Sequence, residues 1–167
     1  RRQRQMCIRD RAIALGAAEP EADLWDFWLG KRPVERTLPV GAVLTISAAG
    51  SETSSSAVLT RDDTLEKRGL TSERIRPRFA VMDPELTCSL PPYQIACGVV
   101  DIMMHTLDRY FTCVTGNLLT DEIAQGLLRT VIRCGARALA DPCDLQAMSE
   151  LMLSLIHISE PTRHAQI

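Results

Sequence analysis

The sequence predicts a chain in two parts, an α/β segment followed by an all-helical one. Three observations carry this. Val40 to Ile46 is a continuous apolar run bounded by Pro39 and by a Gly/Ser tract, the pattern of a strand buried on both faces of an α/β sheet. After Leu90 the apolar positions change to helical spacing and keep it to about Leu139. Between the two, Pro91-Pro92 suits the first turn of a helix, which puts the boundary near Leu90.

Taken in order, Ala12 to Ala18 is a short helical piece without a cap, broken by Glu19-Pro20-Glu21. Asp23 to Leu29 carries Leu24, Phe27 and Trp28 at helical spacing, so Trp25 and Trp28 are read as core residues of a short helix. The Val40–Ile46 strand leads into a loop over Ser47 to Ser56. Ala57 to Thr60 and Arg78 to Met82 read as strands around the charged stretch Arg61 to Arg76, and Asp83-Pro84 ends the second. In the helical part, Ile95, Val99, Ile102, Met103, Thr106 and Leu107 mark a first helix to about Phe111. Thr120 is placed as the N-cap of a second helix that Asp141-Pro142 stops, and Asp144 as the cap of a third.

The two ends read as foreign to the fold. Met6-Cys7-Ile8-Arg9-Asp10-Arg11 can be encoded by ATGTGTATAAGAGACAG, and the reverse complement of that string encodes Leu153-Ser154-Leu155-Ile156-His157-Ile158. One DNA element on opposite strands thus accounts for both, and both ends resemble translated transposase-type sequencing adapters. Residues 1–11 and 153–167 are therefore set aside as non-native tails, with 1–11 and 157–167 expected to make few contacts with the core, leaving 12–90 as a partial α/β domain and 91–152 as a partial helical domain. The whole chain carries a formal charge of −2. Without Arg1, Arg2, Arg4, Arg9 and Arg11 the remainder is more acidic, so the apparent basic arm, and with it a nucleic-acid partner, drops out. His157 and His164 are set aside too, which leaves His105.

Residues 12–152 suffice for one domain or pieces of two. No apolar run approaches the roughly 20 residues that span a bilayer, and no membrane partner is expected. Cys88, Cys97, Cys113, Cys134 and Cys143 are odd in number and lack CxxC spacing, which speaks against a disulfide framework and a zinc knuckle and fits a reducing cytoplasm.

Two places carry chemistry. Thr45-Ile46-Ser47-Ala48-Ala49-Gly50-Ser51-Glu52-Thr53 sets small hydroxyl residues and a glycine at the end of a buried strand, where ligands of open α/β sheets bind and where backbone N–H groups can approach a phosphate or ribose; a flexible Ser-rich loop is the alternative. Within Gly98-Val99-Val100-Asp101-Ile102-Met103-Met104-His105, Asp101 and His105 are four apart on one helical face. A carboxylate and an imidazole so placed are either a surface hydrogen-bonded couple or half of a metal site.

The α/β half ending in Gly50-Ser51-Glu52, the Val81-Met82-Asp83-Pro84 strand end, the Leu90-Pro91-Pro92 helix start and the Gly98-Val99-Val100-Asp101 helix resemble, in this order, the iron-dependent (group III) alcohol dehydrogenases, most closely a butanol-dehydrogenase or broad aldehyde-reductase branch. Ala12-Ile13-Ala14-Leu15-Gly16 is similar to the stretch just after that family's Gly-rich phosphate-binding motif. The resemblance implies the rear part of a nucleotide-binding α/β domain followed by the first helices of an all-helical metal-binding domain. It implies Asp101 and His105 as metal ligands, with two further histidines expected downstream. It also implies Thr45, Gly50, Ser51, Ser54 and Lys67 as cofactor-binding residues, although Ser47 and Ala49 stand where the family often has proline and threonine. No catalytic residue beyond these is assigned.

The implied activity is hydride transfer between NAD or NADP and a small alcohol or aldehyde, aided by a divalent metal, Fe²⁺ or Zn²⁺, acting as a Lewis acid. The parent protein is expected to be a cytoplasmic homo-oligomer, a dimer, and the truncated chain to be inactive. Alternatives of the same fold are a polyol dehydrogenase of the glycerol type and a dehydroquinate-synthase relative. An alternative of another class is a non-catalytic helical interaction module, in which Asp101 and His105 merely pair. The metal reading requires both groups to lie off the face packed by Ile95, Val99, Ile102 and Leu107 and to face the Gly50-Ser51 loop.

Overall fold

The structure is a computed structural model that describes residues 2–48, 50–111 and 116–159, with side chains from residue 8 to residue 154. Ala49, Cys113, His164 and the rest of 160–167 lie outside the described residues. The chain divides into two compact units, residues 1–43 with 51–81, and residues 44–50 with 82–167. The division falls inside two strands rather than at Leu90. Residues 44–50 join the helical part because Leu44 packs in its core with Ile95 and Ile102.

In the first unit α1 (Arg2–Ala18) and α2 (Leu24–Trp28) pack with a β-hairpin. Asp23 caps α2 by accepting from the Trp25 N–H at 2.9 Å, satisfying one of the donors a helix start leaves open. Phe27 and Trp28 are buried, as their spacing requires, with Ala12, Leu15, Ala57 and Ile75. Trp28 Nε1 donates to the Ala57 carbonyl at 3.0 Å, so the indole is buried without orphaning its donor. The hairpin pairs β2 (Ser56–Thr60) antiparallel with β3 (Lys67–Thr71), from Ser56 opposite Thr71 to Thr60 opposite Lys67. β3 lies inside the stretch read from sequence as merely charged. Of its five residues only Leu70 is even half-buried, so it lacks the apolar alternation that marks a strand.

β1 (Gly41–Leu44) pairs with β4 (Phe79–Met82). The expectation of a strand buried on both faces is corrected here. Ala42 and Leu44 are buried whereas Gly41 and Val43 are exposed, because the apolar run packs through alternate residues in a two-stranded sheet.

The expectation that residues 1–11 stay off the core also fails at its near end. α1 runs unbroken from Arg2, Ile8 packs against the first core and Arg11 is buried at 1 % exposure, because the 3.6-residue repeat carries Ile8, Arg11, Ala12 and Leu15 onto one face.

The second unit is built on α3 (Pro92–Tyr110), α4 (Leu118–Ala140) and α5 (Leu145–Ser159). Ile95, Ile102, Val131, Cys134, Ala138, Met148, Leu151 and Met152 form its core. α3 and α4 meet closely at Gly135, where an added Cβ would stand 2.8 Å from Val99 Cγ1. α4 begins at Leu118 with Asn117 as its cap, so Thr120 is inside the first turn rather than at its edge. Asp144 does cap α5, accepting from the Ala147 N–H at 3.0 Å. α5 continues through 153–159, and Ser154 is buried with its hydroxyl donating to the Leu151 carbonyl at 2.7 Å. Among the described residues no helix is long and apolar enough to cross a membrane.

Candidate functional site

α3 is held by Ile95, Ile102 and Thr106, all buried, the Thr106 hydroxyl turned back onto the Ile102 carbonyl at 2.8 Å. Gly98, Asp101 and His105 follow one another at spacings of three and four and so share another stripe of the helix. Asp101 and His105 are half-buried, with His105 Nε2 3.6 Å from Asp101 Oδ1. That separation is too long for a good hydrogen bond. His105 Nε2 is itself shut off from solvent and has no hydrogen-bond partner. A buried imidazole nitrogen left open beside a carboxylate is an arrangement that suits a divalent cation. Among the described residues no third His, Cys, Asp or Glu completes a metal-binding group. One turn further along the stripe Arg109 also buries a nitrogen, Nη1, without a partner, and burial lowers the pKa of its guanidinium against the pull of Asp108.

The loop after β1 reaches this stripe. The Ser47 carbonyl oxygen lies directly against Gly98, leaving no room there for a Cβ. Thr45 is half-buried in the same segment, and Gly50 is buried with φ +62°, the left-handed backbone that glycine takes without strain.

Ser51, Ser54 and Lys67 belong to the first unit. Arg11 donates to the carbonyl oxygens of Ser51, of Ser54 at 3.0 Å and of Ser56 at 2.8 Å. The Ser54 hydroxyl accepts from the Ser56 N–H at 3.1 Å, so part of its capacity shapes the loop. Glu52 is buried at 3 % exposure, and neither of its carboxylate oxygens finds a hydrogen-bond partner in another residue. Desolvation pushes its pKa up, against the opposing pull of its own backbone N–H and of Arg11. Lys67 opens β3, opposite Thr60, with its side chain exposed. The structure thus brings Asp101 to His105, and Ser51 and Ser54 to one guanidinium. The sequence reading missed Arg11, set aside with the terminus, and gave Glu52 no role although it stands within the loop motif.

A family model for iron-containing alcohol dehydrogenases matches residues 10–84. The chain is 39 % identical over 132 residues to an NADH-dependent butanol dehydrogenase A of Clostridium acetobutylicum, spanning 79 % of this chain and 34 % of that one. It is 38 % identical over 142 residues to the NADPH-dependent aldehyde reductase YqhD of Escherichia coli, spanning 84 % of this chain and 37 % of the relative. The crystal structure of an NADH-dependent butanol dehydrogenase A from Thermotoga maritima superposes with a TM-score of 0.84 at 36 % identity, over 92 % of this chain and 38 % of that one. The chain belongs to the iron-containing alcohol dehydrogenase family. It spans about a third of the length of the curated relatives it matches.

Proposed function

We propose that the protein carrying this chain transfers hydride between a nicotinamide dinucleotide and a small alcohol or aldehyde. Asp101 and His105 are proposed to hold a divalent metal, and Thr45, Gly50, Ser51, Ser54 and Lys67 to line the path of the dinucleotide. The observation that carries this reading is the Asp101–His105 pair on α3, with His105 Nε2 buried and without a hydrogen-bond partner. Family membership and the names of the relatives, which cover NADH-dependent and NADPH-dependent enzymes, support the activity class. A bound Fe²⁺ or Zn²⁺ would supply Lewis-acid polarisation of the substrate oxygen.

The chain's own residues supply the rest. Asp101 contributes a negative charge that retains a cation while leaving it acidic, and His105 contributes a neutral donor held at a fixed angle by the helix. The small residues at 45–51 allow backbone N–H groups to approach a phosphate. Metal analysis and dinucleotide-dependent alcohol oxidation, measured on the intact protein and on Asp101→Ala, test the proposal. Loss of metal and activity together is expected, with His105→Ala weakening metal retention strongly. Full activity in metal-free Asp101→Ala would refute it.

A further inference from the structure

Arg11 and Glu52 place two ionisable side chains in one nearly solvent-free spot, at 1 % and 3 % exposure. Burial of this kind is expensive, and an apolar pair of similar volume commonly serves stability as well or better. What the guanidinium achieves here is geometric. Its planar fork binds the carbonyls of Ser51, Ser54 and Ser56, three peptide groups within six residues, and so fixes the direction of successive peptide planes in the segment entering β2. Resting on the functional reading above, we infer that Arg11 is a positioning residue that holds Ser51–Ser56 in the shape that receives the dinucleotide, with Glu52 packed beside it as the buried group of opposite charge.

The fork geometry sets the expected order of variants. Arg11→Met removes charge and donors together. Arg11→Lys keeps the charge, but a single ammonium cannot span three carbonyls. Trp28→Phe serves as a control, because it removes the Trp28–Ala57 hydrogen bond in the same unit and leaves the clamp in place.

The experiment measures NADH and NADPH dissociation constants on the intact protein, together with hydrogen exchange of the 51–56 amides and metal content. Arg11→Met is expected to weaken dinucleotide binding about tenfold or more and to speed exchange at 51–56, with metal content unchanged; Arg11→Lys should fall between it and wild type. Trp28→Phe should leave dinucleotide affinity within about twofold of wild type. Three results would overturn the inference: wild-type affinity in Arg11→Met, faster exchange there without loss of affinity, or an equal loss in Trp28→Phe, which would trace the effect to general destabilisation. A wild-type protein that binds neither dinucleotide would overturn the functional reading itself, and is told apart because Arg11→Met would still loosen 51–56.

Discussion

Gly98 on α3 lies against the carbonyl oxygen of Ser47 so closely that no Cβ fits between them. The contact ties the loop after β1 to the helix one turn before Asp101. In a free helix Gly→Ala stabilises by about 1 kcal/mol. Here the obstacle is backbone, which cannot swing aside as a side chain would, and overpacking of this sort costs about 1–3 kcal/mol. Gly98→Ala is therefore expected to lower the thermal midpoint and, by displacing the Asp101 stripe, to reduce metal content. A midpoint at or above wild type would show that the loop yields freely.

Gly50, at φ +62°, gives a second and separable effect. A β-branched residue in left-handed backbone costs about 1–2 kcal/mol, whereas Asn enters that region far more readily. Gly50→Val should thus lose stability and raise the dinucleotide KM with metal content preserved, and Gly50→Asn should retain most of both. Equal stability losses in the two variants would mean that space, and not φ, is limiting at this position.

Much of this architecture was legible because its signals are local. The spacing of Leu24, Phe27 and Trp28, the proline start at Pro92 and the Asp144 cap all act within a turn or two of chain, and the structure reproduces them. The Asp101–His105 pairing was legible for the same reason, since helical geometry alone brings residues four apart together. What escaped depends on distant partners. β3 is a strand because β2 pairs with it, although apart from the half-buried Leu70 its residues are exposed. Arg11 matters through carbonyls 40 to 45 residues away, and no pattern around Arg11 announces them.

Buried Glu52 makes the stability of the first unit depend on pH. Desolvation raises its folded pKa above the ordinary 4.5, so the native state holds its proton longer than the unfolded chain does. Any stability from this group is fully present below pH 4.5 and is lost as pH rises through the folded value. The neutral isostere in Glu52→Gln escapes that loss. The midpoint of Glu52→Gln should therefore rise relative to wild type between acid and neutral pH, in melts recorded as a pH series. A gap independent of pH would show that Glu52 titrates as it does in the unfolded chain.

Asp144 runs in the opposite direction. The Ala147 N–H and then the Arg137 guanidinium, which grips both carboxylate oxygens at 2.8 and 3.0 Å, hold its pKa below the ordinary 3.8. The folded state thus favours the ionised carboxylate. Its contribution is complete above pH 3.8 and fades as pH falls through the lowered folded value. Asp144→Ala removes the α5 cap and the closing pair of the α4–α5 turn together, so its midpoint should lie below wild type at neutral pH and approach it in strong acid. Arg137→Met should reproduce only part of the deficit, because the hydrogen bond from the Ala147 N–H holds the carboxylate most strongly and survives in that variant. Thermal melts of the three proteins across the acid range decide it: a deficit in Arg137→Met as large as in Asp144→Ala would transfer the stabilisation from the cap to the ion pair.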